Sequence, residues 1–123
     1  MAFHIVRGSV DEKIAENRRL WEIVRISLPD EAVTFEIAND LGSWLDKNKG
    51  QYKEAKGFYL AALEGRRRVL GDEHKDTLVS LNNMGVVLDL MKDSEGALDY
   101  YEQTLRVQEK VLGRHTLARW IPL

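Results

Sequence analysis

The sequence predicts an all-α protein of about five helices, paired into antiparallel helix-turn-helix units that stack sideways as a short solenoid. Three observations carry that expectation. The segment running from Gln51 to Gly71 recurs from Asp93 to Gly113 at a fixed spacing. Apolar residues fall at three- and four-residue steps, the period of one buried helical face. Helix breakers are scarce, with prolines only at Pro29 and Pro122, and strand-type alternation is absent.

The repeat is the strongest of these. Ala55 pairs with Ala97, Tyr59 with Tyr101, Leu63 with Leu105, and Val69-Leu70-Gly71 with Val111-Leu112-Gly113, each pair 42 residues apart. Upstream, Leu41-Gly42 and Leu45 match Met84-Gly85 and Leu88 at a spacing of 43. The first copy therefore carries one extra residue, which the pattern places in the Asp46–Gly50 turn. Self-similarity of this length marks a stack of supersecondary units, each needing its neighbours to cover its apolar face.

The elements follow in order. Ser9-Val10-Asp11-Glu12 has the form of a capping box, with Ser9 opening a helix near 10–26 and Glu12 reaching back. Val10, Ile14, Asn17, Trp21, Val24 and Leu28 give that helix its stripe. Phe35, Ala38, Leu41 and Leu45 predict a helix over 31–47. A third over 51–69 carries Ala55, Tyr59 and Leu63. Leu78, Leu81, Gly85 (or Met84), Leu88 and Met91 mark 75–91. Ala97, Tyr101, Leu105, Gln108 and Leu112 predict a buried stripe over 95–112. Small Ala and Gly alternate with large Tyr and Leu, which lets two helices approach closely. Tyr59 and Tyr101 are read as core residues. Trp44 is expected between neighbouring repeats, and Gly71 and Gly113 as helix-ending glycines. The domain reading is a single unit over 1–123: a degenerate leading helix at 9–30, repeats at 31–71 and 72–113, and at 114–123 the truncated start of a further repeat or a tail.

Composition narrows the function. Eighteen basic and twenty acidic side chains leave a net charge of −2, so no global field draws the chain toward nucleic acid or an anionic membrane. The absence of cysteine removes disulfides and thiolate chemistry and fits a reducing compartment. Met1 to Gly8 is too short and mixed for a secretory signal, and no apolar run approaches a membrane span. A cytoplasmic location is expected. No catalytic, cofactor-binding or metal-ligating set is found. His4, His74 and His115 are scattered, no Gly-x-Ser-x-Gly elbow or phosphate loop occurs, and no enzyme activity is expected. Arg18-Arg19 and Arg66-Arg67-Arg68 are read as solvated helix surface, with nucleic-acid binding as a minor alternative.

The motif residues resemble the tetratricopeptide repeat (TPR), in the long-period variety of kinesin light chains. The carriers are Thr77-Leu78-Val79-Ser80-Leu81-Asn82-Asn83-Met84-Gly85 for a first helix and Gly96-Ala97, Tyr101 and Leu105 for a second, ending Gln108-Glu109-Lys110-Val111-Leu112-Gly113. The link Gly71-Asp72-Glu73-His74-Lys75-Asp76-Thr77 is similar to the family's Gly-x-x-His-Pro-x-Thr, with Lys75 in place of proline. The resemblance covers roughly residues 31–119. It implies a right-handed superhelix whose first helices line a concave groove, and a protein or peptide as partner. Transferred to this chain, the groove positions are Asn39, Asp40, Ser43, Asp46, Asn82, Asn83, Val86 and Asp89. Asparagine amides there could bond a peptide backbone, and the carboxylates favour basic partner residues. After Gly113 the pattern shortens: Thr116, Leu117 and Trp120 align with Thr77, Leu78 and Leu81 at a spacing of 39. Either a Leu117/Trp120/Ile121 tail covers the last helix, or the chain self-associates through Leu98, Val107, Val111, Leu117 and Trp120 as a homo-oligomer.

Overall fold

The computed structural model describes the backbone of residues 9–120 and the side chains through residue 113. Five helices follow one another: α1 Val10–Ser27, α2 Ala32–Lys49, α3 Tyr52–Leu70, α4 Lys75–Leu90 and α5 Ser94–Trp120. No strand occurs among the described residues. Each helix packs on the next, and the α2–α3 hairpin is the tightest pairing. The first four helices lie within two residues of their predicted bounds. His4 and Ile121 lie outside the described residues, as do the side chains of His115, Leu117 and Trp120.

Helix α1 opens at Ser9, whose hydroxyl accepts the Glu12 amide at 3.1 Å; no return bond from the Glu12 side chain accompanies it among the described residues. Asp11 and Glu12 stand in its first turn, where the helix dipole favours negative charge. After Pro29 the Thr34 hydroxyl donates to the Leu28 carbonyl. One repeat later the Thr77 hydroxyl donates to the Gly71 carbonyl at 2.7 Å. These two threonines, 2% and 0% exposed, staple the α1–α2 and α3–α4 bends from the inside.

The extra residue of the first copy is where the spacing places it. Gln51 N–H reaches back six residues to the Leu45 carbonyl, whereas Asp93 N–H reaches only five, to Leu88. Both turns need a left-handed residue. Gly50 supplies it at φ 63° without steric cost, and Lys92 adopts φ 67° at the corresponding position.

The core runs between the helices as a continuous band. Phe35, Ala38, Leu41 and Leu45 from α2, Ala55, Tyr59 and Leu63 from α3, and Leu81, Met84 and Leu88 from α4 are all buried. Tyr59 lies across Gly42 and Tyr101 across Gly85: a methyl added at either glycine would stand 2.8 Å and 2.5 Å, respectively, from the nearest ring carbon. Phe35 occupies the gap over Gly65 in the same way. Trp44 is half-buried against this core, and Trp21 of α1 meets Phe58 of α3 edge-on, with centroids 5.8 Å apart.

Two expectations for the last helix are overturned. Gly113 does not end α5, which continues unbroken to Trp120. At Gly71 the chain turns, with φ 87°, and a threonine six residues on captures the freed carbonyl. After Gly113 the next threonine, Thr116, is only three residues on, too close to make that staple, and no proline intervenes. A lone glycine inside a helix costs only about 1 kcal/mol relative to alanine, so the helix propagates. The predicted stripe along α5 is also only half right. Ala97 is buried, but Leu105 and Leu112 are 54% and 66% exposed.

The glycine seats give a direct test. Gly85→Ala should destabilise the fold by about 1–3 kcal/mol, because the Tyr101 ring must shift. Gly57→Ala, where nothing lies within 4 Å of the new methyl, should be neutral or gain up to about 1 kcal/mol of helix propensity. Urea unfolding followed by circular dichroism separates the two.

Candidate functional site

The first helices of the two hairpins, α2 and α4, approach each other through a single side-chain bridge, and a polar row borders their apolar stripes. Asn83 donates its side-chain N–H to the Asn39 Oδ1 at 2.8 Å, bridging the helices. Each of these amides keeps a second donor or acceptor beyond that bond. Asn82, the position matching Asn39, is exposed, and so are Val79 and Val86 on α4. Ser43 is half-buried, and Asp40 and Asp89 are exposed.

Asp46 departs from the expected set. It is 8% exposed and accepts the Tyr59 hydroxyl at 3.1 Å, so this carboxylate belongs to the α2–α3 hairpin and not to an open surface. Burial first, and then the neighbouring Asp46 charge, push the Tyr59 phenol far above its usual pKa. The same pairing recurs more openly one repeat on. Tyr101 is raised by burial and then by Asp89. Tyr101, read as a core residue, is only half-buried, and the hydrogen-bonded pairing belongs to Tyr59 and Asp46.

Arg66 is the residue that sequence reasoning misjudged most. It is 7% exposed and donates to the Ser80 hydroxyl at 2.9 Å and to the Asp76 carbonyl at 3.4 Å, tying α3 to α4. Its charge also acts on Asp40 of α2. Although Asp40 is exposed as a residue, partial shielding of its carboxyl from water raises it above its ordinary value, Glu36 one turn earlier adds to the rise, and Arg66 pulls partly against both. The outer edge of α2 is therefore an acidic corner that Arg66 only partly compensates.

Arg18, Arg67 and Arg68 are braces as well. Arg67 bonds Asp72 at 3.1 Å and Gln103 at 2.6 Å. Arg68 bonds Asp30 at 2.7 Å, and Arg18 forks onto Glu54. Their partners stand 5, 36 and 38 residues away, not at the repeat spacing of 42 or 43, so the repeat gave no signal for them. His74 behaves as an ordinary turn residue, its Nδ1 accepting the Asp76 amide at 3.0 Å to cap α4.

Among the described residues every buried side-chain nitrogen and oxygen has a partner, and no group of three or more potential metal ligands forms. None of their helices is long and apolar enough to cross a membrane. A hollow of about 780 Å³ lies along the turns, bordered by Gly50, Gln51, Tyr52, Lys53, Glu54 and Met91. Its carboxylate, Glu54, is already held by Arg18.

Stacked antiparallel hairpins, with an aromatic seated on a glycine in each, define a helical-repeat protein. The Tetratricopeptide repeat family model matches residues 33–110, well over half of the chain, and the chain belongs to that family. No curated protein matches it. Among solved structures, BtubC (BKLC) from P. vanneervenii superposes with a TM-score of 0.77 at 21% sequence identity, over 87% of this chain. The match spans 42% of that protein's length, and it shows the shared fold.

The buried arginine is separable from the exposed ones by mutation. Arg66→Ala strands the Ser80 hydroxyl and the Asp76 carbonyl and removes the packed stem, and should cost about 2–3 kcal/mol. Arg68→Ala, at an exposed pair, should cost about 0.2–1 kcal/mol, less at high salt. Chemical denaturation at two ionic strengths reads both.

Proposed function

We propose that the chain is a non-catalytic adaptor that holds an extended peptide segment of a protein partner along the shared face of α2 and α4, in the concave groove expected of first helices. The unit is read as one domain with a leading helix at 9–30 and repeats at 31–71 and 72–113, of the long-period kinesin light chain-like subtype that the spacing of 42 and 43 residues suggests. The contact set is Asn39, Asp40, Ser43, Asn82, Asn83, Val86 and Asp89, with Asp46 withdrawn and Glu36 added.

One observation carries the reading. A row of amides and carboxylates borders the stripes without being consumed by the core, and Asp40 in that row is held above its normal pKa by partial shielding from water and by Glu36. A carboxylate in that position gains when a cation arrives. A lysine or arginine of the partner would sit between Glu36 and Asp40, while Asn82 and Asn83 take its backbone amides. Single contacts of this kind contribute about 0.5–1.5 kcal/mol, so recognition depends on several together. The nucleic-acid alternative weakens, because Arg18, Arg66, Arg67 and Arg68 are all engaged within the fold.

Selection from a display library of random peptides should enrich Lys- or Arg-bearing sequences. Asp40→Asn combined with Asn82→Ala should weaken the selected peptides roughly tenfold, about 1.4 kcal/mol, with helicity intact. Affinity should also depend on pH. The free Asp40 carboxyl titrates above the ordinary 3.8, and a bound cation favours its ionised form. Binding therefore strengthens as pH rises through the free-state value and levels off above it; Asp40→Asn should flatten that slope. Enrichment without basic residues, or affinity indifferent to both substitutions, would refute the groove.

A further inference from the structure

Consecutive repeats set matching residues at matching points of the fold, so an exposed point that changes character between copies is not held by packing. Along the first helices three such points change in the same direction. Glu36, Ser43 and Lys47 of α2 stand where Val79, Val86 and Leu90 stand on α4, each pair 43 residues apart. The three aliphatic residues are 48%, 38% and 41% exposed, while Leu81, Met84, Val87 and Leu88 of the same helix are buried. Steps of seven and eleven residues return to nearly the same side of a helix, so all three fall within about 40° of one another. By the same rotation Asn82 borders this stripe on one side and Asn83 on the other.

The exposure does not come from a missing neighbour. Glu36 and Lys47 stay exposed and Ser43 half-buried although α4 is joined to α2 through Asn39 and Asn83. A further first helix set against α4 in the same way would leave Val79, Val86 and Leu90 equally open. One exposed valine is ordinary on a protein surface, but an aliphatic stripe where the preceding copy is hydrophilic has a chemistry of its own.

The α2 half of the face has the opposite character. Glu36 and Asp40 stand one turn apart and are both exposed, and Asp89 adds a further exposed carboxylate beside the α4 stripe. Carboxylates so placed repel phosphate, so neither nucleic acid nor an anionic lipid surface fits the stripe. A cationic chain with an apolar side chain fits both halves. Neighbouring helices lie about 10 Å apart and an extended chain rises about 3.3 Å per residue. Its side chains alternate in direction, so groups about two or four residues apart reach α2 and α4 from the same side.

We infer that the face reads two side chains of one extended peptide: a lysine or arginine over Glu36 and Asp40, and an aliphatic or aromatic residue, two or four positions away, over Val79, Val86 and Leu90. This rests on the groove reading above and supplies its second specificity element, which the polar row alone does not contain.

The two copies provide the variant that tests it. Val79→Glu, Val86→Ser and Leu90→Lys together give α4 the side chains that α2 carries at the matching points, with no change in net charge. Peptides selected on the unaltered chain should carry a basic residue and, at the stated spacing, Leu, Ile, Val or an aromatic. The triple variant should bind such a peptide at least tenfold more weakly, with unchanged helicity. Replacing the peptide's apolar residue by serine should cost the same factor on the unaltered chain and nothing further on the variant. That second arm reads the contact on the native fold, whatever the variant's stability. Selected peptides that keep the basic residue and respond to Asp40→Asn with Asn82→Ala, yet lack the apolar residue or bind the triple variant unchanged, would sink this inference and leave the groove standing. Binding indifferent to Asp40 and Asn82 would remove the groove, and this inference with it.

Discussion

Everything in this molecule depends on two helices coming close enough for a tyrosine ring to lie on bare backbone. Gly42 and Gly85 are not turn residues; they sit mid-helix, where glycine costs about 1 kcal/mol of helix propensity. What offsets that cost is contact. With no Cβ in the way, the rings of Tyr59 and Tyr101 settle against α2 and α4. The ring bodies fill the space between the helices of each hairpin, and in the first repeat the hydroxyl emerges where Asp46 can accept it. Large aromatic burial and a satisfied polar tip thus come from one residue.

Polar side chains then hold the bends that the core cannot reach. Thr34 and Thr77 each capture a carbonyl freed where a helix ends, and both are almost wholly buried. Arg66 does comparable work between helices, with a stem that packs and a head that bonds Ser80 and a carbonyl. A buried arginine is tolerable only when such partners are supplied. Here the partners come from α4, so the cation stiffens one repeat against the next. The leading helix is attached differently. It contributes Ile14, Val24 and Trp21 to the core, but Arg18 to Glu54 and Lys49 to Asp11 also tie it at its surface. Leu20, Ile23 and Ile26 remain more than 40% exposed.

The helices and their pairing were legible because they rest on period and repetition, which a linear sequence displays. Tyr59, Leu41, Leu45 and Ala55 could be assigned to the interior from their matches alone. The side-chain partners were not, and the reason is physical. Whether Asp46 faces water or a phenol depends on the close approach that Gly42 permits, a distance no spacing rule contains. Arg66 in a triplet of arginines looks like solvated surface until α4 is laid across it. The end of α5 failed for another cause. Gly71 and Gly113 have the same local neighbours, Val-Leu before and a charged residue after, yet only one stops a helix. The difference lies six residues downstream, in whether a threonine stands at the right distance to close the bend.

The α5 face shows what repetition does to a surface. In a stack each unit presents the same seam that it receives, so an apolar residue along α5 can be a feature of the repeat and not a random patch. Leu105 stands where Leu63 does, yet it is 54% exposed against 1%, with no described helix laid over it. The positions around it differ between the copies: Gln108 stands where Arg66 does and Thr104 where Ala62 does. Neither is charged, so both hydrate readily without the partners that a buried cation needs. Leu112 stands where Leu70 does but Leu98 where Lys56 does, so repetition accounts for two of the three leucines along α5 and not for Leu98.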